Sequence, residues 1–413
     1  MNTMGASARH AAGQLRAVTS EARASAITAM AKAIRAEAGT ILNANAKDMT
    51  QAEQKGLSGA LLDRLLLTPD RIEAIASGLD QIAQLKDGLS ETISTHHPPN
   101  GLRIERVRVP IGVIGIIYES RPNVTADAGA LCLRAGNAAI LRGGSESYHS
   151  SRALHACLCT GLRVASLPEA AIQYVPTTDR AAVGAMLGGL GGSIDLIVPR
   201  GGKSLVARVE REARVPVLSH LDGINHLYVD KAADPAMARD IVVNAKLRRP
   251  GICGAVETVL IHRQALEPCL PGIIAGLQEG ACEIRADETC RAVHPALIPA
   301  KQSDWDTEYL DAIVTIGAVD DLGAALAHIT RHGSGHTDGI ITDDNTAAEA
   351  FLARVDSAIV VHNASTQFAD GGEFGFGAEI GIATGRLHAR GPVAVEGLTT
   401  YKYQVRGTGQ TRG

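Results

Sequence analysis

Short apolar runs alternate with longer amphipathic ones from residue 111 to residue 230, and that alternation leaves few folds open. Strand candidates at 112–119, 138–142, 171–175, 194–199, 215–219 and 226–230 are separated by helical runs at 123–135, 145–165, 179–190 and 201–212. Neighbouring parallel strands cannot be joined by a tight turn and need a crossover, usually a helix, so the pattern predicts a doubly wound parallel sheet. A second block of the same kind runs from about 232 to 389, with strands near 256–262, 312–318, 338–342 and 358–362. Its helices fall near 234–247, 264–278, 320–331 and 345–355. The expected fold is α/β, with two doubly wound lobes and a cleft between them.

Residues 5–90 read as Ala-rich helices, with Pro69-Asp70 opening the third of them. The segments 94–110 and 390–413 are extended instead. Exposed strand edges attract partners, so these two segments are expected to pair across subunits as an oligomerisation ribbon. The expected division is 1–93 with 111–230, then 231–389, then the ribbon of 94–110 with 390–413.

Composition removes several classes of function. The net charge is −4, aromatic residues make up 3%, and no basic block marks a nucleic-acid surface. The longest apolar run, around Ile111–Tyr118, is too short to cross a bilayer, so no membrane role is expected. Seven cysteines, an odd number without a signal-peptide core, argue for reduced thiols and a cytoplasmic protein. Among the 14 histidines, no spacing with Asp or Glu resembles a metal site, and none is expected.

One thiol stands apart. Cys253 follows the turn Arg249-Pro250-Gly251, with Lys246, Arg248 and Arg249 close by in sequence. Cations favour the thiolate, which is the nucleophilic form. In an open parallel sheet ligands gather beyond the carboxyl ends of strands, which singles out three loops. These are Glu119–Thr125, Leu141–Glu146 and Pro199–Lys203. Each follows an apolar run and opens a helix, where backbone N–H groups attract anions, so a phosphate-bearing cofactor is plausible. None has a dinucleotide or P-loop glycine pattern. Asn123 reads either as a helix N-cap or as an amide donor to an oxyanion.

Together, the segments Tyr118–Thr125, Ala139–Glu146, Asn244–Cys253, Asn363–Gly371, Glu373–Gly381 and Leu387–Pro392 resemble the aldehyde dehydrogenase superfamily. Within it they are most similar to the γ-glutamyl phosphate reductase (glutamate-5-semialdehyde dehydrogenase) family, over nearly the whole chain. The resemblance implies NADPH-dependent reduction of L-glutamyl 5-phosphate to L-glutamate 5-semialdehyde and phosphate, the second step from glutamate to proline. It makes Cys253 the acyl-accepting thiol and Asn123 the oxyanion donor. Arg142, Gly143, Ser145 and Glu146 match the loop on the cofactor's adenosine ribose, with Gly201 and Gly202 in a second cofactor loop. An arginine at 142, where relatives carry lysine, suits the 2′-phosphate of NADP. Glu308 falls where the superfamily holds the nicotinamide ribose, and Arg121, Lys246 and Arg249 are candidates for the substrate phosphate. The first block becomes the NADP-binding domain and the second the domain carrying the nucleophile. The implied partners are a second copy of the chain and, transiently, the glutamate 5-kinase that makes the labile substrate.

Departures from the superfamily pattern bear on the reaction. Hydrolytic aldehyde dehydrogenases activate water with a glutamate where this chain has His220. Losing that base suits an enzyme whose thioester must wait for hydride rather than water. Gly254 stands where many relatives have Asn, and Gln367 where an Arg is expected. The alternatives are a hydrolytic NAD(P)-dependent aldehyde dehydrogenase and a non-catalytic interaction protein with the same fold.

Overall fold

The computed structural model describes residues 1–57 and 59–412; Ser58 and Gly413, the last residue of the expected ribbon, lie outside the described residues. The chain forms two compact units: Met1–Ser219 with Gly375–Gly381 and Val393–Gly413, and His220–Phe374 with Ile382–Pro392. Among the described residues no helix is long and apolar enough to cross a membrane.

The first unit contains a four-stranded parallel sheet in the order Ile172–Tyr174, Ala138–Arg142, Val113–Tyr118, Leu196–Arg200. All six residues of Val113–Tyr118 are buried, as expected for a strand covered on both faces. The order turns back at that strand, so the loops after Val113–Tyr118 and Leu196–Arg200 leave in opposite directions and open a crevice. The expected strand at 215–219 is reduced to one bridge, Ile197 to Val217, beside Pro216, which has no N–H to offer a ladder.

The second unit is a seven-stranded sheet with all its pairings parallel. Its order is Ile298–Pro299, Glu283–Ala286, Ile313–Val319, Val256–His262, Asn225–Val229, Thr337–Ile341, Ile359–His362. The periodicity closed the first block at residue 230, but strand Asn225–Val229 pairs with Val256–His262 and Thr337–Ile341. The division therefore falls between Ser219 and His220. Hydrogen bonding, which local pattern cannot express, assigns the strand.

The two extended segments meet each other within one chain, where pairing across subunits was expected. Thr399–Arg406 runs antiparallel to Arg103–Pro110, from Thr399 opposite Pro110 to Arg406 opposite Arg103, and Thr92–His96 adds on the other side. Glu105 sits between Arg103 at 2.7 Å and Arg406 at 3.1 Å, which fixes this register.

Buried charge ties the amino-terminal helices to the sheet of the first unit. Asp87 accepts from Arg23 at 2.5 Å and lies 3.7 Å from Arg134, and all three side chains are nearly inaccessible. Arg134 ends the helix Asn123–Arg134 and donates to the carbonyls of Leu85 and Ser20. Burial alone would raise the Asp87 carboxyl, but hydrogen bonds from Arg23, Ser20 and the Leu89 backbone outweigh it and hold the carboxyl below its usual range. A depressed value favours the folded state above the unfolded pKa, and the stabilisation is lost as pH falls through the folded one. Removing one member of a buried ion network strands the others. Asp87→Ala is expected to destabilise the protein by about 3–5 kcal/mol at pH 7 in urea unfolding, with the difference shrinking in acid.

Candidate active site

In the second unit the helix Pro235–Leu247 ends and a short turn carries Cys253, partly exposed, to the strand Val256–His262. The turn is braced from several sides. Thr366 Oγ1 donates to the Gly254 carbonyl at 2.7 Å, and the Ala255 N–H donates to Ile252 at 3.0 Å. Asn225, fully buried, donates through Nδ2 to the carbonyls of Cys253 (2.6 Å) and Ala255 (2.8 Å). Its Oδ1 accepts the Thr337 N–H at 3.1 Å. One carboxamide thus binds the Cys253 turn to two strands. Gly223 lies against the same turn, where a Cβ would stand 2.3 Å from the Cys253 carbonyl oxygen, so only glycine fits. The Gly223 N–H donates to Glu308 Oε1 at 2.9 Å, which gives Glu308 a part in shaping this loop.

Two imidazoles join the thiol, although the sequence reading found no metal-ligand spacing. One ligand-type atom each from His220, Cys253 and His336 lies within 4.8 Å of the others. His220 Nδ1 is 2.8 Å from the Ile382 carbonyl, which can only accept, so Nδ1 carries a proton. His336 is buried, and its Nδ1 meets Thr337 Oγ1 at 2.9 Å. Burial, with a smaller effect from His220, pushes its pKa down to about 3, so this imidazole is neutral. The three residues precede three different strands, so no local motif announces them.

The expected cations separate on inspection. Lys246 is fully buried and pairs with Glu257 at 2.6 Å, so it is withdrawn from any phosphate, contrary to the sequence expectation. Its partner supplied the signal that was missed, because a carboxylate inside a wholly buried strand needs a counter-charge. Burial pushes the Glu257 carboxyl up, to about 7, against the pull of Lys246. Arg249 is exposed beside the thiol turn, and Arg121 is exposed in the first unit. Gln367 is buried and donates to the carbonyls of Ala245 (3.0 Å) and Arg249 (3.3 Å). These bonds tie the segment of Gln367 to the helix Pro235–Leu247 and to the turn that follows it.

The remaining expected residues lie in the first unit, around the carboxyl ends of its strands. A cavity of about 310 Å³ is lined there by Arg142, Ser145 and Glu146, together with Gly144, Thr178, Arg180, Ser204 and Arg208. Sequence reading missed Arg180 and Arg208, which begin or lie within helices and carry no loop signature. Arg142 donates to the carbonyls of Gly143 and Thr178, and its buried Nε has no hydrogen-bond partner. Gly143 packs against the Tyr118 ring. Glu146 Oε1 accepts from the Ser120 N–H (2.6 Å) and hydroxyl (3.0 Å), holding Ser120 at a φ of +49°. Glu119 accepts the Gly202 N–H at 3.1 Å, and a Cβ on Gly201 would stand 2.5 Å from the same carboxylate. The helix N-terminus expected to meet a cofactor phosphate is thus already met by the chain's own anion. Asn123 is not the N-cap of its helix, contrary to one of the two readings: Pro122 holds that place and no side chain caps the helix, while Asn123 Nδ2 donates to Asp127 at 2.8 Å. An amide nitrogen has a second hydrogen, so this bond orients the group without exhausting it.

Comparison with known proteins fits this geometry. The profile of the aldehyde dehydrogenase family matches residues 1–303. A gamma-glutamyl phosphate reductase of Rhizorhabdus wittichii is 62% identical over 99% of this chain and 95% of its own. That of Rhodospirillum rubrum is 61% identical over 100% and 96%. The crystal structure of the gamma-glutamyl phosphate reductase from Thermotoga maritima superposes with a TM-score of 0.97 at 40% identity, covering 100% of this chain and 99% of that one. An acetylating aldehyde dehydrogenase of Geobacillus thermoglucosidasius, 17% identical with a TM-score of 0.69, shares the fold.

Burial raises the Asp127 carboxyl to about 6 from an ordinary value of 3.8, against the bond from Asn123. A raised carboxyl favours the folded state below about pH 4, and that contribution is lost as pH climbs through 6. Asp127→Asn is expected to stabilise the protein by about 1–3 kcal/mol at pH 8 and to change little at pH 4, read from denaturation midpoints at the two pH values.

Proposed function

Because the chain belongs to the aldehyde dehydrogenase family, among its gamma-glutamyl phosphate reductases, we propose that it reduces L-glutamyl 5-phosphate to L-glutamate 5-semialdehyde, with NADPH as reductant. The observation that carries this reading is the partly exposed Cys253 thiol, on a turn braced by buried hydrogen bonds. A nucleophile held by its backbone keeps its position while bonds to its sulfur form and break.

The thiolate attacks the acyl carbon, the carbonyl oxygen takes the electron pair, and phosphate leaves as that pair returns, giving a thioester on Cys253. Asn123 is the proposed amide donor to the oxyanion, oriented by Asp127, and its loss is worth roughly 10²–10³ in rate at sites of this kind. Arg121 and Arg249 are the exposed cations proposed for the substrate phosphate. The residues that would hold the cofactor line the cavity around Arg142. The unpartnered Nε of that buried guanidinium is the kind of donor an anionic ligand satisfies, and Arg180 and Arg208 add charge suited to a 2′-phosphate. When bound, the cofactor supplies a hydride. After reduction the thiohemiacetal collapses and returns the thiolate. The ribbon of Thr92–His96, Arg103–Pro110 and Thr399–Arg406 presents two outer edges, which supports assembly as a homo-oligomer.

A second reading, hydrolysis of the thioester, has one observation in its favour. His220 stands in the cluster with Cys253, so the position of the missing glutamate is filled by an imidazole, a group of the kind that acts as a base. The reverse reaction separates the two. With glutamate semialdehyde and NADP⁺, cofactor reduction is expected to require inorganic phosphate; equal rates without it would transfer the assignment to hydrolysis. Cys253→Ala is expected to abolish turnover while NADPH binding persists, and substantial residual turnover would remove Cys253 from the chemistry. Arg180→Ala is expected to raise the KM for NADPH about 10-fold or more and to leave that for NADH nearly unchanged, from the usual worth of a charge-assisted hydrogen bond. Equal effects on both cofactors would move the 2′-phosphate elsewhere.

A further inference from the structure

We propose that Cys253 Sγ and the imidazoles of His220 and His336 form a site for a borderline transition-metal dication of the Zn²⁺ class, and that its occupancy switches the enzyme off. The binding site stands on geometry alone; the inhibition rests on the reading of Cys253 as nucleophile.

The three ligand atoms lie within 4.8 Å of one another. In a tetrahedral zinc site, bonds of about 2.0–2.3 Å place neighbouring ligand atoms about 3.3–3.6 Å apart, so closure needs shifts on the order of 1 Å. Both imidazoles are arranged as metal ligands usually are. A metal-bound histidine commonly gives its other ring N–H to a carbonyl, which fixes the ring and turns the lone pair toward the ion. His220 does this through Nδ1 to the Ile382 carbonyl at 2.8 Å. His336 engages Thr337 Oγ1 through Nδ1 at 2.9 Å, and its buried Nε2 has no hydrogen-bond partner. A buried polar atom left in that state is uncommon and calls for a ligand. The rings are already set edge to face, with centroids 5.0 Å apart.

Donor chemistry selects the ion. One thiolate and two imidazoles suit Zn²⁺ or Co²⁺ and not the oxygen-seeking Mg²⁺ or Ca²⁺. Three protein ligands leave a fourth position for water. The backbone beneath is already fixed, since Asn225 joins the Cys253 carbonyl to the N–H of Thr337, the residue after His336. Cys253 and His220 are partly exposed while His336 is buried, so the ion enters from the thiol side. A metal on Sγ occupies the lone pair that attacks the acyl carbon, and a chelator reverses the block by removing it.

The test is a titration of the chelator-treated full-length protein with Co²⁺, whose spectrum reports its ligands. The expected result is one Co²⁺ per chain, a thiolate-to-metal charge-transfer band, and visible bands of tetrahedral intensity, all displaced by Zn²⁺. Reductase activity is expected to fall in step and to return with EDTA. His336→Ala, checked for native circular dichroism, is expected to weaken Co²⁺ binding by at least about tenfold, the least that loss of a ligand should cost when supporting residues alone are worth 10–100-fold. Absence of the charge-transfer band would overturn the site, as would inhibition without that band or unchanged affinity in His336→Ala. A charge-transfer band with undiminished activity would uphold the site and overturn the role of Cys253 as nucleophile.

Discussion

The Asn225 side chain makes three hydrogen bonds from a position with no solvent access: two to the carbonyls on either side of Gly254 and one from the N–H of Thr337. Water cannot replace any of them, so each lost partner would leave a buried polar group unsatisfied at a cost of about 1–3 kcal/mol. This carboxamide holds the thiol turn to the strand on one side and the segment bearing His336 to the strand on the other. The proposed chemistry at Cys253 and the proposed metal cluster both depend on that anchor. Gly223 serves the same end by steric means, since the chain passes too near the Cys253 backbone for any side chain.

The two units place their polar groups at opposite ends of their strands. In the first, the cavity around Arg142 and the loops after Val113–Tyr118 and Leu196–Arg200 lie beyond carboxyl ends, where a doubly wound sheet opens at the point its strand order reverses. In the second, Cys253 precedes Val256–His262, His336 precedes Thr337–Ile341, and His220 precedes Asn225–Val229. A search guided by carboxyl ends therefore finds the loops of the first unit and misses the histidines of the second. Cys253 stood out for another reason, the turn and the cations written around it.

Charge gives the sharpest contrast between reading and folding. Lys246, Arg248 and Arg249 look alike in sequence, as three cations before a thiol on a turn. In the fold the first faces inward to Glu257, while the other two are exposed and Arg248 approaches Gln367. A helical period identifies the side of Pro235–Leu247 that is buried, yet a lysine on that side reads as an exception until its partner is found on another strand. Gln367 likewise looks like a lost arginine until its bonds to the carbonyls of Ala245 and Arg249 are seen. The Glu119 carboxylate at Gly202 is a third case, since backbone donors that invite an anion accept one from the chain itself.

The sequence by itself determined the two blocks of alternating strand and helix, the extended ribbons and the thiol on its turn, because periodicity and turn chemistry are local. It did not determine that strand Asn225–Val229 joins the second sheet, that the two ribbons pair with each other, or that His220 and His336 converge on Cys253. Those outcomes belong to the tertiary structure alone. Strand order and register decide which backbone and side-chain groups meet, and the groups that meet here come from segments far apart in the chain.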